Sequence, residues 1–250
     1  MLAVLGTTIR GGPSHSVLLV HVVHLHERDC SVQLRNQKVL EIAPAPELDP
    51  QLRAGMHTAA VELVSRAGYV NAGTVEFLIS PEQGEYFFIE CNPRIQVEHT
   101  VTEQVSQVDL VEAQFQVAAG QSLADLGLSD QAAVGEPRGF SVQARVVARG
   151  AGTLSAYKEP SGPGVRVDAS GYPGYAPPPQ FDPLLAKVIG TARTYRAALG
   201  RTANALAEFH IVGVGTNLSD LGAILNHHSV QAGDARTSLL VEAADQCPGC

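Results

Sequence analysis

Tryptophan is missing from this 250-residue chain, Phe and Tyr together make up only 5% of it, and methionine occurs twice. A core without large rings must be filled by aliphatic side chains, and the 45% apolar content supplies them. Cations are scarce too: 17 Lys and Arg stand against 25 Asp and Glu, a net charge of −8. That balance excludes a protein that coats nucleic acid or an anionic membrane surface. No apolar run reaches the roughly 18 residues that cross a bilayer. The first residues lack the basic start and the cleavage site of a secretory leader. Four cysteines, Cys30, Cys91, Cys247 and Cys250, are too few and too scattered for a disulfide framework, so a reducing, cytoplasmic setting is expected. The final Cys-Pro-Gly-Cys has zinc-knuckle spacing but no second pair, and reads as a tail.

Glycine (24) and proline (15) are plentiful and punctuate the chain. Residues 1–14 read as an irregular start. Ser16–Leu25 is β-branched and apolar, a strand. The polar run from Glu27 to Lys38 reads as a solvated loop. Gln51–Ala67 has helical spacing and stops at Gly68. Helical patterns also cover Asp109–Ala119, Tyr195–Glu208, Gly215–Leu225 and Thr237–Ala244. Short strands are expected at Phe140–Val147, Gly152–Tyr157, Gly164–Val167 and Leu184–Ile189, after a Gly- and Pro-containing connection at 121–139.

The richest stretch is Thr74–Asn92, two strand-like runs around Pro81–Glu85. A loop symmetric about Gln83 pairs Val75 with Cys91, Phe77 with Ile89 and Ile79 with Phe87 on an apolar face. It sets Glu76 across from Glu90, with Leu78 across from Phe88. Directly opposed carboxylates lie about 5 Å apart and repel. A bridging divalent cation is the simplest remedy, and hard oxygen donors suit Mg²⁺. Beyond the pair, strand alternation sends Asn92, Arg94, Gln96 and Glu98 to the side of Glu90, adding a guanidinium suited to a planar oxyanion.

The run from Glu27 through Gln33, Lys38 and Glu41 to Pro46 resembles the biotin carboxylase component of biotin-dependent carboxylases. So do Gly73–Leu78, the long block Phe88–Glu103, Gly164-Val-Arg166-Val-Asp168, Phe181–Lys187 and Gly213–Asn217. The resemblance implies a mixed α/β (α+β) fold: the second half of an ATP-grasp domain over residues 15–120, then a biotin carboxylase C-terminal domain over 137–245. It implies a ligase that uses ATP, bicarbonate and Mg²⁺ or Mn²⁺ to carboxylate biotin. By the same resemblance Glu76, Glu90 and Asn92 hold the metal. Lys38, Asn92, Arg94, Gln96 and Val97 surround bicarbonate, Glu98 is the base that deprotonates it, and Arg166 stabilises the biotin enolate. Gln33, Leu78 and Ile89 line the nucleotide pocket. The implied partners are a biotin carboxyl carrier, a carboxyltransferase, an upstream N-terminal half and further subunits of an oligomer.

Three departures shape the expectation. Leu34-Arg35-Asn36 replaces the family's Arg-Arg-His, the stretch after Arg145 is shortened, and the family's N-terminal domain and glycine-rich ATP lid lie upstream of the matching segment. The chain is therefore expected to be a fragment, a split subunit or a non-catalytic remnant. Alone it should be a poor enzyme, with Ser16–Leu25 left as an uncovered apolar edge. The alternative from the same fold is another ATP-grasp ligase, of the carbamoyl-phosphate synthase kind.

Overall fold

The computed structural model describes residues 2–10, 20–35 and 37–246. They form two compact units, and the chain does not divide between them at one point. The first unit takes residues up to Asp29 together with Ala43–Arg138, and the second takes Cys30–Ile42 and everything from Gly139 on.

In chain order the elements begin with strands β1 (Leu2–Arg10), β2 (Val20–Asp29), β3 (Gln33–Leu34), β4 (Gln37–Lys38) and β5 (Leu40–Ala43). Then come α1 (Pro50–Arg66), β6 (Asn71–Ser80), β7 (Glu85–Asn92), α2 (His99–Ser106), α3 (Leu110–Ala118) and α4 (Gln131–Val134). The second stretch holds β8 (Phe140–Arg149), β9 (Ala156–Lys158), β10 (Val165–Ala169), β11 (Leu184–Ala192) and α5 (Tyr195–Glu208). It ends with β12 (His210–Val212), β13 (Gly215–Thr216), α6 (Leu218–Leu225), α7 (His228–Ala232) and α8 (Leu239–Gln246). The mixed α/β class is as expected.

The first unit is an antiparallel sheet in the order β2-β1-β6-β7. Alternation sends Val75 and Phe77 to one face, where Met56, Ala60 and Val64 of α1 cover them. Val23 and Leu25 meet Leu110, Val117 and Leu123 in a separate cluster. α1 forms where the periodicity placed it because both of its ends are capped. Asp49 accepts the Gln51 and Leu52 amides at 2.8 and 3.0 Å, and Pro50 opens the first turn.

The second unit is a sheet in the order β10-β11-β8-β5, with β13 beside β8. Its aliphatic core joins Val32, Leu40 and Ile42 to Val142, Ala144, Val146 and Val188, and to Ala198, Leu199 and Leu206 of α5. Inside it Glu41, wholly buried, takes hydrogen bonds from Gln143 (2.8 Å) and Arg145.

Several expectations change. Residues 2–10 form a full strand that pairs with β2 on one side and β6 on the other, so the edge of β2 facing β6 is covered. The run starting at Glu27 is no solvated loop: Glu27 and Arg28 lie within β2 at 1% and 0% exposure. Glu27 can be buried because Arg53, His57 and the Ala45 amide donate to its carboxylate at 2.9, 2.7 and 3.2 Å. The strand expected at Gly152–Tyr157 is confined to β9. The expected residues Ser16–Leu19, Asn36, Cys247 and Cys250 lie outside the described residues. Among the described residues no helix is long and apolar enough to cross a membrane.

Candidate functional site

The β6–β7 hairpin closes on a four-residue turn, Pro81–Gly84, with Gly84 at φ 65° and the Gln83 amide bonded to the Ser80 carbonyl at 3.2 Å. Glycine takes that left-handed conformation without the Cβ clash other residues meet. The turn pairs Ser80 with Glu85, Ile79 with Tyr86, Leu78 with Phe87 and Phe77 with Phe88. The register then shifts, and beyond it Glu76 pairs with Glu90 and Val75 with Cys91. The carboxylate pair therefore stands as expected, but Leu78 faces Phe87 rather than Phe88, and Phe77 faces Phe88 rather than Ile89. The physical reason is loop length. A four-residue turn has the wrong parity for the Glu76–Glu90 register, and a bulge at Ile89 restores it.

Asn92 ends β7 and lies against both acids. Its Nδ2 donates to Glu90 Oε1 at 2.7 Å and to Glu76 Oε1 at 3.3 Å. Gln96 Nε2 donates to Glu76 Oε1 at 2.7 Å. Glu76 is buried at 3% exposure, whereas Glu90 is exposed. The partial positive charge of the Asn92 amide thus lies between two opposed carboxylates, where a cation would neutralise them. Two carboxylates fit a hard divalent ion that completes its shell with an amide oxygen, phosphate oxygens and water. Among the described residues no group of three His, Cys, Asp or Glu is placed to hold a metal, so this pair is not part of an all-protein cage.

Strand alternation does not carry the rest of the motif, because β7 stops at Asn92 and residues 93–98 run as turn and coil. Gln96 returns to Glu76 nonetheless. Arg94 is exposed, and its Nη1 donates to the Ile95 carbonyl at 3.2 Å. Val97 is half-buried. Glu98 is buried at 2% exposure and occupies the N-cap of α2, a helix the sequence did not announce. Beside the acids, Leu78 and Ile89 are 46% and 45% exposed, and Phe87 and Phe88 are exposed as well. Leu78 and Phe87, directly opposed across the hairpin on the face of Glu76, leave uncovered apolar surface fit for a flat apolar ligand group.

Three site candidates belong to the second unit. Gln33 is buried and donates to the Cys30 carbonyl at 2.8 Å, and it pairs with the half-buried Lys38 in a two-stranded ribbon. Arg166, on β10, is held by a two-point contact with Asp168, Nε to Oδ1 at 2.8 Å and Nη2 to Oδ2 at 3.0 Å. Lys187, opposite Asp168 on β11, reaches the same carboxylate at 3.1 Å. Burial would raise the Asp168 carboxyl, but Arg166 and Lys187 outweigh it and hold it below the usual range.

Sequence reasoning gave no role to Asp168. Its signal was its place two residues from Arg166 on one strand, hence on one face. It also missed Arg28, which sits in the charged run Glu27-Arg28-Asp29 at the end of β2 and gave no signal of burial.

Comparison with known proteins finds relatives over most of the chain. Residues 20–126 match the family model described as the carbamoyl-phosphate synthase L chain, ATP binding domain, and residues 143–242 match the biotin carboxylase C-terminal domain. Human mitochondrial pyruvate carboxylase is 43% identical over 231 residues, which is 89% of this chain and 19% of that one. The pyruvate carboxylase of Pichia angusta is 44% identical over 229 residues, 88% of this chain and 19% of its own. The chain thus spans about a fifth of the length of these curated relatives. Among solved structures, the biotin carboxylase domain of a single-chain bacterial carboxylase has a TM-score of 0.89 at 43% identity, over 98% of this chain and 56% of that domain. The biotin carboxylase domain of Hydrogenobacter thermophilus 2-oxoglutarate carboxylase, solved with MgADP and bicarbonate, has a TM-score of 0.87 at 34% identity, over 99% and 52%. The first segment answers to an ATP-grasp fragment and the second to the C-terminal domain of the same enzymes, so the chain belongs to the biotin carboxylase family.

Proposed function

We propose that the chain serves ATP- and bicarbonate-dependent carboxylation of biotin on a carrier protein, in an assembly that also holds a carboxyltransferase. The observation that carries this reading is the convergence of Asn92 and Gln96 on the opposed pair Glu76 and Glu90. The relatives support it, since the 2-oxoglutarate carboxylase domain was solved with MgADP and bicarbonate.

Glu76 and Glu90 would hold Mg²⁺, with Asn92 beside them, and the bound ion would supply positive charge to phosphate oxygens. Leu78 and Ile89 offer apolar surface to the nucleotide base, with Gln33 as a further nucleotide contact. Lys38, Asn92, Arg94, Gln96 and Val97 are assigned to bicarbonate, whose negative charge calls for a guanidinium and an ammonium. Glu98 takes its proton, so that the bicarbonate oxygen can attack the γ-phosphorus and release ADP. Arg166, permanently charged, stabilises the biotin ring when it becomes anionic. Its pairing with Asp168 fixes the guanidinium before that charge arrives. We assign a reducing, cytoplasmic setting on the free thiols of Cys30 and Cys91.

A ligase of the carbamoyl-phosphate synthase kind is the second reading, favoured by the description of the model that matches residues 20–126. It gives no role to Arg166 or to the biotin carboxylase C-terminal domain. One experiment separates the readings: ATP cleavage by the purified chain, with and without bicarbonate and free biotin, alone and with an N-terminal biotin carboxylase half. Bicarbonate-dependent cleavage that biotin stimulates supports the proposal. Bicarbonate-dependent cleavage that biotin leaves unchanged favours the second reading, and no cleavage under any condition favours a non-catalytic remnant.

A further inference from the structure

Among the described residues of the first unit, Arg28 is the most deeply buried cation, at 0% exposure on β2. Its side-chain partners among the described residues are all neutral. Nη1 donates to Thr102 Oγ1 at 3.0 Å, and Nη2 donates to Thr74 Oγ1 at 3.3 Å and to Gln96 Oε1 at 3.1 Å. Nε is buried and has no hydrogen-bond partner among the described residues. Burying a guanidinium against two hydroxyls and an amide costs stability, so its placement calls for a reason other than packing.

The reason lies in which end of Gln96 it faces. A guanidinium only donates. An amide packed against it must turn its oxygen inward, which leaves the NH₂ end for the other side. That other side is Glu76 Oε1, 2.7 Å from Gln96 Nε2. Were the amide reversed, two oxygens would face each other at Glu76 and the carboxylate would turn away. Sheet register sets the distances: Arg28 and Glu76 both pair with Ala3 of β1, from opposite sides. The two lie two strands apart, about 10 Å at the usual strand spacing. A long side chain is needed to span that interval, and a fork is needed to hold Thr74, Thr102 and Gln96 together.

We propose that Arg28 is a positioning residue for the metal pair: it fixes the orientation of the Gln96 amide and, through it, the rotation of the Glu76 carboxylate. This rests on the reading of Glu76 and Glu90 as metal ligands. Arg28 touches neither nucleotide nor metal in this scheme. Lysine would keep the charge and lose the fork, so the conservative exchange is expected to fail.

The test measures Mn²⁺ binding to the full chain by electron paramagnetic resonance, alongside thermal melting and the ¹⁵N–¹H resonances of the Gln96 side-chain amide. In Arg28→Lys, Mn²⁺ affinity should fall about tenfold and the Gln96 amide resonances should move. Thr102→Val removes one anchor of the guanidinium while leaving every acid and Gln96 in place, and should weaken Mn²⁺ about threefold in a chain that melts at a lower temperature but still cooperatively. If Arg28→Lys does not fold, Thr102→Val decides. A folded variant with wild-type Mn²⁺ affinity and unmoved Gln96 resonances overturns the proposal. Should wild type bind no Mn²⁺ and Glu76→Gln change nothing, the metal reading fails. The Gln96 resonances in Arg28→Lys then decide only whether Arg28 orients the Gln96 amide: displaced, that orientation stands; unmoved, it falls as well.

Discussion

Glu76 and Glu90 face each other directly across β6 and β7, although the bulge at Ile89 lies just beside them. Like charges in opposed positions weaken a sheet unless something compensates, and here the Asn92 amide lies against both. If the pair holds a divalent ion, Glu76→Gln should lower Mg²⁺-nucleotide affinity by at least tenfold. Isothermal titration beside a thermal melt checks this, and the melting temperature should stay level or rise, because a repulsion has been removed.

Glu98→Gln keeps the shape of the side chain and removes its ability to take a proton. In an assembled carboxylase, bicarbonate-dependent ATP cleavage should fall by about 10²–10⁴, while nucleotide affinity changes little. A matching loss of nucleotide affinity would argue that Glu98 binds rather than accepts a proton.

Arg166→Ala should spare bicarbonate-dependent ATP cleavage and abolish carboxylation of biotin, because its charge matters only once the ring is anionic. Asp168→Asn keeps the Arg166 charge but weakens the two-point contact that aims it. It should give a partial loss of the same step. Parallel measurement of phosphate release and carboxybiotin formation separates the two steps.

A buried cluster makes stability depend on pH. His24 lies 3.9 Å from His57, ring to ring, with His26 close by. Burial first, and then the neighbouring His57 and His26, lower His24 from 6.5 to about 3. Between those values the unfolded chain holds a proton that the folded chain refuses, so stability falls as pH drops from 6.5 toward 3. Burial lowers His26 as well, against the Gly135 carbonyl and the charges of Glu27 and Glu136. Glu27 is lowered as well, but against its burial rather than because of it. Burial would raise it, but the His57 hydrogen bond and Arg53 hold it at about 2. Its contribution is complete above 4.5 and lost as pH falls from there toward 2. Urea titrations at pH 7 and pH 5 should differ, and His24→Gln should remove about 1 kcal/mol of that difference, allowing for solvent screening at a half-buried ring.

Arg145→Met would leave the carboxylate of Glu41 buried without its cation. A loss of about 3–5 kcal/mol is expected by urea denaturation. Glu41→Gln with Arg145→Met should recover much of it.

The helices α1, α3 and α5 were legible because their apolar spacing and capping residues agree, as with Asp49 before α1. The opposed acids were legible because strand alternation survives at Glu76 and Glu90. Alternation could not reveal the Ile89 bulge, which follows from the length of a turn and not from polarity. Nor could it carry Gln96 to Glu76, since coil has no period and that contact depends on how residues 93–98 turn. Arg28 was illegible for another reason. Its partners Thr74, Gln96 and Thr102 are 46, 68 and 74 residues away, and polarity alone placed it in water.

The crossing of residues 30–42 into the second unit has a practical reach. It works as a borrowed strand: β5 comes from well upstream of the other strands it joins, and brings Leu40 and Ile42 to their core. Gene dissection near position 137 would therefore yield a downstream piece with an open groove and a stranded Arg145. Fusing residues 30–43 through a short linker to the start of β8 would restore that strand. Such a shortened chain should fold cooperatively where the simple truncation would not.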